Sequence, residues 1–262
     1  MTPTASGNSD DNHSAADSEH RVHPAHQRLA TKATFTGPAN SRYASLPISL
    51  SMIRDQLSVP LLCDALDAVG LTRQSPRLPW MPLTVQGSLL IGRAKTLLWA
   101  DMAHEDPKPY ELELAAIDSC EADDVLVCAA GCSMRSGIWG ELLSTAALHR
   151  GCAGVIVDGA VRDVTKMQAI RFAVHGRGTS PYDSRNRQRV IDYDVVVELE
   201  GVRVAPGDII AADADGVVIV PTAVESQVIA SAWRKATAEN KVREAVASGM
   251  SAAEAYQTFG VL

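Results

Sequence analysis

The stretch GELLSTAALHRGCAGVIVDGAVRD, residues 140–163, decides the fold of this chain. Residues 141–150 predict a short helix that ends at Gly151, because glycine is favoured where helices stop. Residues 153–157 form a continuous apolar run rich in β-branched side chains, which predicts a buried strand. Asp158-Gly159 is expected to form the turn at the carboxyl end of that strand. A short helix leading into a buried strand indicates an α/β fold.

Three charged residues bracket this stretch. Twenty residues separate Glu141 from the adjacent pair Arg162-Asp163. The pair follows the predicted buried strand, and open α/β sheets bind ligands beyond the carboxyl ends of their strands. Glu141 begins the preceding helix, so it can face the same crevice. A guanidinium suits a carboxylate, and an acidic oxygen suits a hard metal ion. The spacing therefore predicts chemistry on a small oxo-acid.

Composition narrows the classes of function. The 262 residues are 46% apolar and 21% charged, which is typical of globular proteins, and the net charge is −7. The absence of a basic stripe argues against a nucleic-acid partner. The sequence has neither an apolar run of membrane-spanning length nor a secretory leader, so no membrane association is expected. The five cysteines are odd in number and predict a reducing compartment, so we expect a cytoplasmic protein.

The order of predicted elements gives the domain organisation. Residues 1–45 are mostly polar and show no helical or strand period, which predicts a disordered N-terminal tail. Residues 46–262 are expected to form a single domain. Strands and helices alternate in its middle, two strands are predicted around Gly92 at 83–91 and 93–99, and further strands cluster within 195–220. This order predicts a layered α/β sandwich with a mixed sheet, and 222–248 predict a long C-terminal helix.

The central stretch and several segments in fixed order resemble the RraA-like family. The other segments are Cys63-Asp64-Ala65-Leu66-Asp67, Gly92-Arg93-Ala94-Lys95-Thr96, Arg177-Gly178, Val204-Ala205-Pro206-Gly207-Asp208, the run 213–221 and Gly260-Val261-Leu262. The family contains divalent-metal-dependent class II pyruvate aldolases that act on 4-hydroxy-4-methyl-2-oxoglutarate and 4-carboxy-4-hydroxy-2-oxoadipate. The resemblance implies a swivelling-type α/β/β domain, assembled as a homotrimer or as a homohexamer that is a dimer of trimers.

The resemblance also implies roles for individual residues. Arg162 would bind the carboxylate and C2 oxygen of a small-molecule 2-oxo acid. Asp163 would bind Mg²⁺ directly, with Mn²⁺ or Co²⁺ as substitutes, and Glu141 would hold a metal-bound water. The helix start at Gly140, with the backbone N–H groups of Leu142 and Leu143, would hold a substrate carboxylate.

One further acidic residue is implied to come from a neighbouring subunit. Family members place a glutamate of the adjacent chain near the metal-bound waters. Glu239 in the predicted C-terminal helix is the match we choose, and Glu244 is its rival.

Each of these residues also has a purely structural interpretation. Arg162 could be a surface arginine, Asp163 a helix N-cap, and Glu141 a charge that suits a helix N-terminus. Lys166 could form a Schiff base, although a helix-surface lysine is the simpler interpretation.

Three functions follow from these considerations. The first is a metal-dependent lyase that cleaves a 4-hydroxy-2-oxo acid to pyruvate and a second carbonyl product. The second is an oxaloacetate decarboxylase that uses the same enolate. The third is a non-catalytic binding protein like the ribonuclease regulators of this family, which lack the acidic partner that Glu141 provides here.

Overall fold

The computed structural model describes residues 48–77, 79–85, 87 and 89–261. The predicted tail, residues 1–45, lies outside the described residues. Within them the helices are α1 (Leu50–Gln56), α2 (Val59–Asp67), α3 (Glu111–Asp118), α4 (Glu141–His149), α5 (Val164–Ala169), α6 (Glu225–Ala247) and α7 (Ala252–Phe259). The strands are β1 (Met81–Pro82), β2 (Leu90–Asp101), β3 (Asp124–Trp139), β4 (Gly154–Val161), β5 (Ala173–Thr179), β6 (Gln188–Tyr193), β7 (Val197–Leu199), β8 (Val202–Val204), β9 (Ile209–Ala212) and β10 (Val217–Val220).

The main sheet is mixed, as predicted. Its strand order is β1-β5-β4-β3-β2-β9-β10, and β6 pairs with β2 outside this path. The four central strands β2, β3, β4 and β5 run parallel to one another. Strands β1, β6 and β9 add to them in antiparallel orientation, and β10 pairs antiparallel with β9. Helices α4 and α5 follow β3 and β4 directly, so both begin at the carboxyl edge of the parallel strands.

Two layers, one on each side, bury the two faces of this sheet. One face is covered by helices: α1, α2 and α6 pack near β9 and β10, and α3, α4 and α5 pack on the parallel strands. The hairpin of β7 and β8 covers the opposite face with Val197, Leu199, Val202 and Val204. This arrangement confirms the predicted α/β/β sandwich. The long C-terminal helix is also confirmed as α6.

The prediction of a turn at Asp158-Gly159 is wrong, because β4 continues through both residues. All eight residues of β4 are buried, and Asp158 is 1% exposed. Its carboxylate is compensated from other strands: Arg177 Nε donates to Oδ1 at 2.9 Å, and the Cys132 N–H donates to Oδ2 at 3.1 Å. A charged residue inside an apolar run therefore marks a buried ion pair here and does not mark the end of the strand.

Other strand predictions also needed correction. The two strands predicted around Gly92 are one strand, β2, which begins at Leu90. Strands β5 and β6 were not predicted, because their sequences AVHGRGT and QRVIDY contain glycine, charged and polar residues without a clear period. Strand β3 is long and extends from Asp124 to Trp139. Among the described residues, no helix has the length and apolarity required to cross a membrane.

Strand β4 begins at Gly154, where neighbouring atoms leave no room for a side chain. A Cβ added to Gly154 would lie 2.6 Å from the carbonyl oxygen of Ala173 and 2.7 Å from Leu90 Cδ1. We expect Gly154→Ala to lower the free energy of unfolding by about 3 kcal/mol, because the backbone of β5 must move. The control is Gly70→Ala. Gly70 has open space but a φ of +83°, so about 1 kcal/mol should be lost there. Urea unfolding measures both, and equal losses would contradict this account.

Candidate active site

The candidate site lies where the neighbouring strands β3 and β4 end. The Arg162 N–H donates to the carbonyl oxygen of Trp139 at 2.8 Å, which fixes the two strand ends side by side. Helix α4 starts at Glu141 and helix α5 at Val164. The two predicted groups of site residues, separated by twenty positions in sequence, therefore emerge from adjacent strands.

The start of α4 is held by a short chain of hydrogen bonds. The indole N–H of Trp139 donates to the Ser144 hydroxyl at 2.8 Å, and that hydroxyl donates to the Gly140 carbonyl oxygen at 3.0 Å. Gly140 occupies the N-cap position without a side chain. A Cβ there would lie 3.0 Å from Asp163 Oδ2 and 3.3 Å from Arg162 Cγ. Glycine therefore permits the close approach of both charged side chains to the start of the helix.

Asp163 has a strained backbone and a carboxylate that does not cap its helix. It stands at the N-cap position of α5 with φ 58° and ψ 30°, in the left-handed region, and its side chain makes no capping hydrogen bond. The side chain is 38% exposed. Non-glycine residues in this conformation cost free energy and concentrate at functional sites. The N-cap interpretation therefore explains the position of Asp163 but not its carboxylate, which remains available to a ligand.

The guanidinium of Arg162 is oriented by a residue that the sequence did not reveal. Its Nη2 atom lies 2.8 Å from Asp183 Oδ2, and its Nε atom lies 3.8 Å from Asp163 Oδ2. Asp183 follows β5, and its other oxygen accepts the Tyr110 hydroxyl at 2.7 Å and the Arg185 N–H at 2.7 Å. Arg162 is thus held between two carboxylates, with its side chain 37% exposed.

The protonation of this network follows from its contacts. Burial alone would raise the pKa of Asp183, but hydrogen bonds from the Arg185 N–H and the Tyr110 hydroxyl, together with the charge of Arg162, hold it below its ordinary value. Burial, and then the hydrogen bond to Asp183, raise the pKa of Tyr110 to about 12. Asp183 is therefore an acceptor at neutral pH and Tyr110 its donor.

A second acid lies beneath this network on α3. Glu113 is 3% exposed, one helical turn after Tyr110, and its Oε2 atom has no hydrogen-bond partner in the described part of the chain. Burial raises the pKa of Glu113 to about 8; the Asp183 carboxylate adds to the rise and the Arg162 guanidinium opposes it. Neither Glu113 nor Asp183 was predicted, since both come from segments distant in sequence from residues 140–163.

Glu141 and the two leucines after it occupy the first turn of α4. The Thr145 hydroxyl donates to Glu141 Oε1 at 3.0 Å. Leu143 packs against the helical core, whereas the Leu142 side chain is 77% exposed. Core packing therefore does not explain Leu142. The backbone N–H groups of a first turn have no partner within the helix, so those of Leu142 and Leu143 can be offered to an anion.

Glu239 lies apart from these residues within a single chain. It is on α6, which packs with α1 and α2, and its Oε1 atom is 3.9 Å from Lys235 Nζ. Lys235 contacts Asp64 more closely. Among the described residues, no hydrogen bond or ion pair joins Glu239 to Arg162 or Asp163. Its rival Glu244 is exposed on the same helix. The contribution of Glu239 to a neighbouring subunit stays a prediction.

Few side chains at the site could coordinate a hard cation. No cluster of three or more histidine, cysteine or acidic residues suited to a metal occurs within the described ranges. The available donors are the uncapped Asp163 carboxylate and the carboxylate of Glu141, which follows the Gly140 that lies against Asp163 Oδ2, and both offer oxygen. Such a set fits Mg²⁺, which keeps several waters and needs one or two protein carboxylates together with substrate oxygens.

Comparison with known proteins identifies the family. The sequence signature of the RraA-like family, described as Aldolase/RraA, matches residues 59–219, which is more than half of the chain. The chain belongs to the RraA-like family. One relative in this family, from Halalkalibacterium halodurans, is 32% identical over 201 residues, covering 76% of this chain and 90% of its own, and bears the name "Putative 4-hydroxy-4-methyl-2-oxoglutarate aldolase". Protein DlpA of Legionella pneumophila is 30% identical over 200 residues, but this match spans only 32% of DlpA.

Solved structures of RraA-like proteins share the fold. RraAS2 of Streptomyces coelicolor, described as an unusual member of the RNase ES inhibitor RraA protein family, is 28% identical with a TM-score of 0.62. That comparison covers 71% of this chain and 91% of RraAS2. An uncharacterized protein from Pseudomonas syringae has a TM-score of 0.71 over 81% of this chain and 96% of its own, at 23% identity, which establishes the fold alone.

The strain at Asp163 can be measured directly. We expect Asp163→Gly to be at least as stable as the unchanged protein, because glycine adopts the left-handed region without strain. Asp163→Ala should lose about 1 kcal/mol of unfolding free energy, since alanine lacks the preference of aspartate for this region. Urea denaturation of the three proteins checks the order. If Asp163→Gly were the least stable, the side chain would be stabilising the fold, and the proposed availability to a ligand would be wrong.

Proposed function

We propose that this RraA-like protein is a divalent-metal-dependent lyase that cleaves a 4-hydroxy-2-oxo acid to pyruvate and a second carbonyl product. The observation that carries the proposal is the pairing of an oriented guanidinium, Arg162, with the strained and uncapped carboxylate of Asp163. The similarity to a protein named as an aldolase supports it.

Arg162 would bind the substrate at its oxo-acid end. Its guanidinium presents several N–H donors in one plane, which match a carboxylate and the neighbouring C2 oxygen. Asp183 and Tyr110 hold the guanidinium in place before substrate arrives, so less conformational entropy is lost on binding. The N–H groups of Leu142 and Leu143 at the start of α4 would donate hydrogen bonds to a carboxylate oxygen beside it.

A divalent cation such as Mg²⁺, bound by Asp163 directly and by Glu141 through water, would act as a Lewis acid toward the oxo group. Glu141 would take the proton of the C4 hydroxyl through one intervening water. The C3–C4 bond then breaks, its electron pair moves toward C2 and the oxo oxygen, and a carbonyl forms at C4. Arg162 stabilises the negative charge of the resulting enolate where it develops. Return of a proton to C3 gives pyruvate.

Decarboxylation of oxaloacetate passes through the same enolate. Loss of CO₂ leaves an electron pair at C3, as aldol cleavage does, and the same Arg162 contact would stabilise it. Oxaloacetate therefore belongs in the substrate panel beside several 4-hydroxy-2-oxo acids. Release of pyruvate from oxaloacetate alone would make the protein a decarboxylase. No release from any substrate, together with tight binding of a ribonuclease, would favour a regulatory role.

Substitution at the site gives the main test. Arg162→Ala and Asp163→Asn should each lower kcat/KM for pyruvate release by about 10³-fold, because each removes charge stabilisation of the developing enolate. Asparagine also tolerates the left-handed backbone, so the fold should persist. Chelator should abolish activity and added Mg²⁺ should restore it.

Lys166 provides the matched control. It is exposed and lies three residues after Asp163, so Lys166→Ala should keep full activity. Borohydride added with pyruvate should trap no adduct. A strong loss of activity in Lys166→Ala, or full turnover after chelation, would replace the metal-dependent mechanism with a Schiff-base one.

Complementation tests the assignment of Glu239 to a neighbouring subunit. Glu239→Ala and Arg162→Ala chains should each assemble into inactive proteins. When the two are co-expressed in equal amounts, about a quarter of the sites should combine an intact Arg162 with an intact Glu239 from the next chain. Recovered activity near that fraction supports a shared site. Inactive mixtures, with assembly shown by size-exclusion chromatography, would reject Glu239, and Glu244→Ala would then be examined in the same way.

A further inference from the structure

Glu113 is a buried acid that the reaction outlined above does not use. It is 3% exposed, and within the described residues its Oε2 atom has no hydrogen-bond partner. An ionised carboxylate accepts hydrogen bonds at both oxygens, and burying one without donors is strongly unfavourable. These buried surroundings therefore favour the uncharged form of Glu113. The groups that Glu113 faces explain why a glutamate occupies this position.

The charges that bear on Glu113 belong to the candidate site. They are the Asp183 carboxylate and the Arg162 guanidinium, and from β3 the Cys128 thiol also faces it. Charged groups on other elements packed against α3 have partners of their own. Arg189 of β6 pairs with Asp106, Lys95 of β2 pairs with Asp194, and Glu141 of α4 accepts the Thr145 hydroxyl. Tyr110, one turn before Glu113 at the start of α3, donates to Asp183 at 2.7 Å, and Asp183 pairs with Arg162 at 2.8 Å. Glu113 is thus placed beside the pair Arg162–Asp183 by its own helix.

We propose that Glu113 is a positioning residue whose uncharged form leaves Arg162 free to bind a substrate carboxylate, and whose ionisation weakens that binding. The inference rests on the proposed role of Arg162 as the oxo-acid ligand. With Glu113 uncharged, Arg162 shares its charge with the Asp183 carboxylate. With Glu113 ionised, a second buried negative charge competes for the same guanidinium and repels the incoming anion.

Linkage makes this coupling measurable in both directions. If ionisation of Glu113 weakens the binding of a carboxylate, then bound carboxylate must raise the affinity of Glu113 for its proton. Burial already places the pKa of Glu113 at about 8. Near that pH, binding of a 2-oxo acid should therefore draw a proton from solvent.

The test is calorimetry with pyruvate in the presence of saturating Mg²⁺. Titrations at pH 8 in two buffers of different ionisation enthalpy give the number of protons taken up on binding. The unchanged protein should take up a substantial fraction of a proton more than Glu113→Gln does. Its dissociation constant for pyruvate should rise by up to about tenfold between pH 7 and pH 9, because the fraction with uncharged Glu113 binds more tightly. That rise should vanish in Glu113→Gln.

Glu111→Gln is the matched control. Glu111 is exposed on the same helix and pairs with Lys108, so this variant should keep the proton uptake and the pH dependence of the unchanged protein. Equal uptake in the unchanged protein and in Glu113→Gln would overturn the inference and leave the proposed function standing. Absence of pyruvate binding at every pH in a folded protein would overturn the proposed function itself.

Unfolding by urea supplies a readout without ligand. The folded pKa of Glu113 lies above its unfolded value, so its contribution to stability is present at low pH and is lost as pH rises through about 8. The urea midpoint of Glu113→Gln should therefore rise relative to the unchanged protein between pH 5 and pH 8. A constant difference would overturn the inference. Should the amide fail to fold, Glu113→Met, which also cannot ionise, replaces it in both measurements.

Discussion

The candidate site depends on one backbone hydrogen bond, between the Arg162 N–H and the Trp139 carbonyl oxygen. It joins the last residue of β3 to the first residue after β4, so the helices that follow these strands begin side by side. Both strands are buried at this end, where Trp139 and Val161 are register partners. The positions of Glu141 and Asp163 therefore follow from the pairing of the sheet and do not require a flexible loop to close.

The sequence alone was sufficient where the signal is local. The helix 141–150, the buried strand after it and the position of Arg162-Asp163 beyond the strand were all predictable, because helix-ending glycine and a β-branched run act over a few residues. Strands β5 and β6 were missed for the same reason. Their residues gain stability from neighbouring strands and carry little intrinsic pattern, and His175 in β5 is buried although it stands among glycines and an arginine.

The network around Arg162 could not be predicted in this way. Tyr110 and Asp183 are 73 positions apart in sequence and meet only because α3 packs on β6 and the preceding loop. Neither belongs to a motif with a characteristic spacing. Their role follows from two consecutive contacts: the tyrosine hydroxyl donates to the aspartate, and the aspartate pairs with the guanidinium. Such chains of contacts orient a functional group whose own position is evident from sequence.

Asp158 and Glu113 are two buried acids that differ in their hydrogen-bond and ion-pair partners, and this difference separates a structural role from a functional one. Asp158 lies inside β4 and is held by Arg177, which in turn stacks on the Trp80 ring at 4.0 Å. Removing that arginine would leave an unpaired charge in the core, so the pair serves the fold. Glu113 is about as buried, yet its Oε2 atom lacks any partner among the described residues. Replacing it with a neutral residue should leave no charge of opposite sign unpaired, because the neighbouring Arg162 already pairs with Asp183.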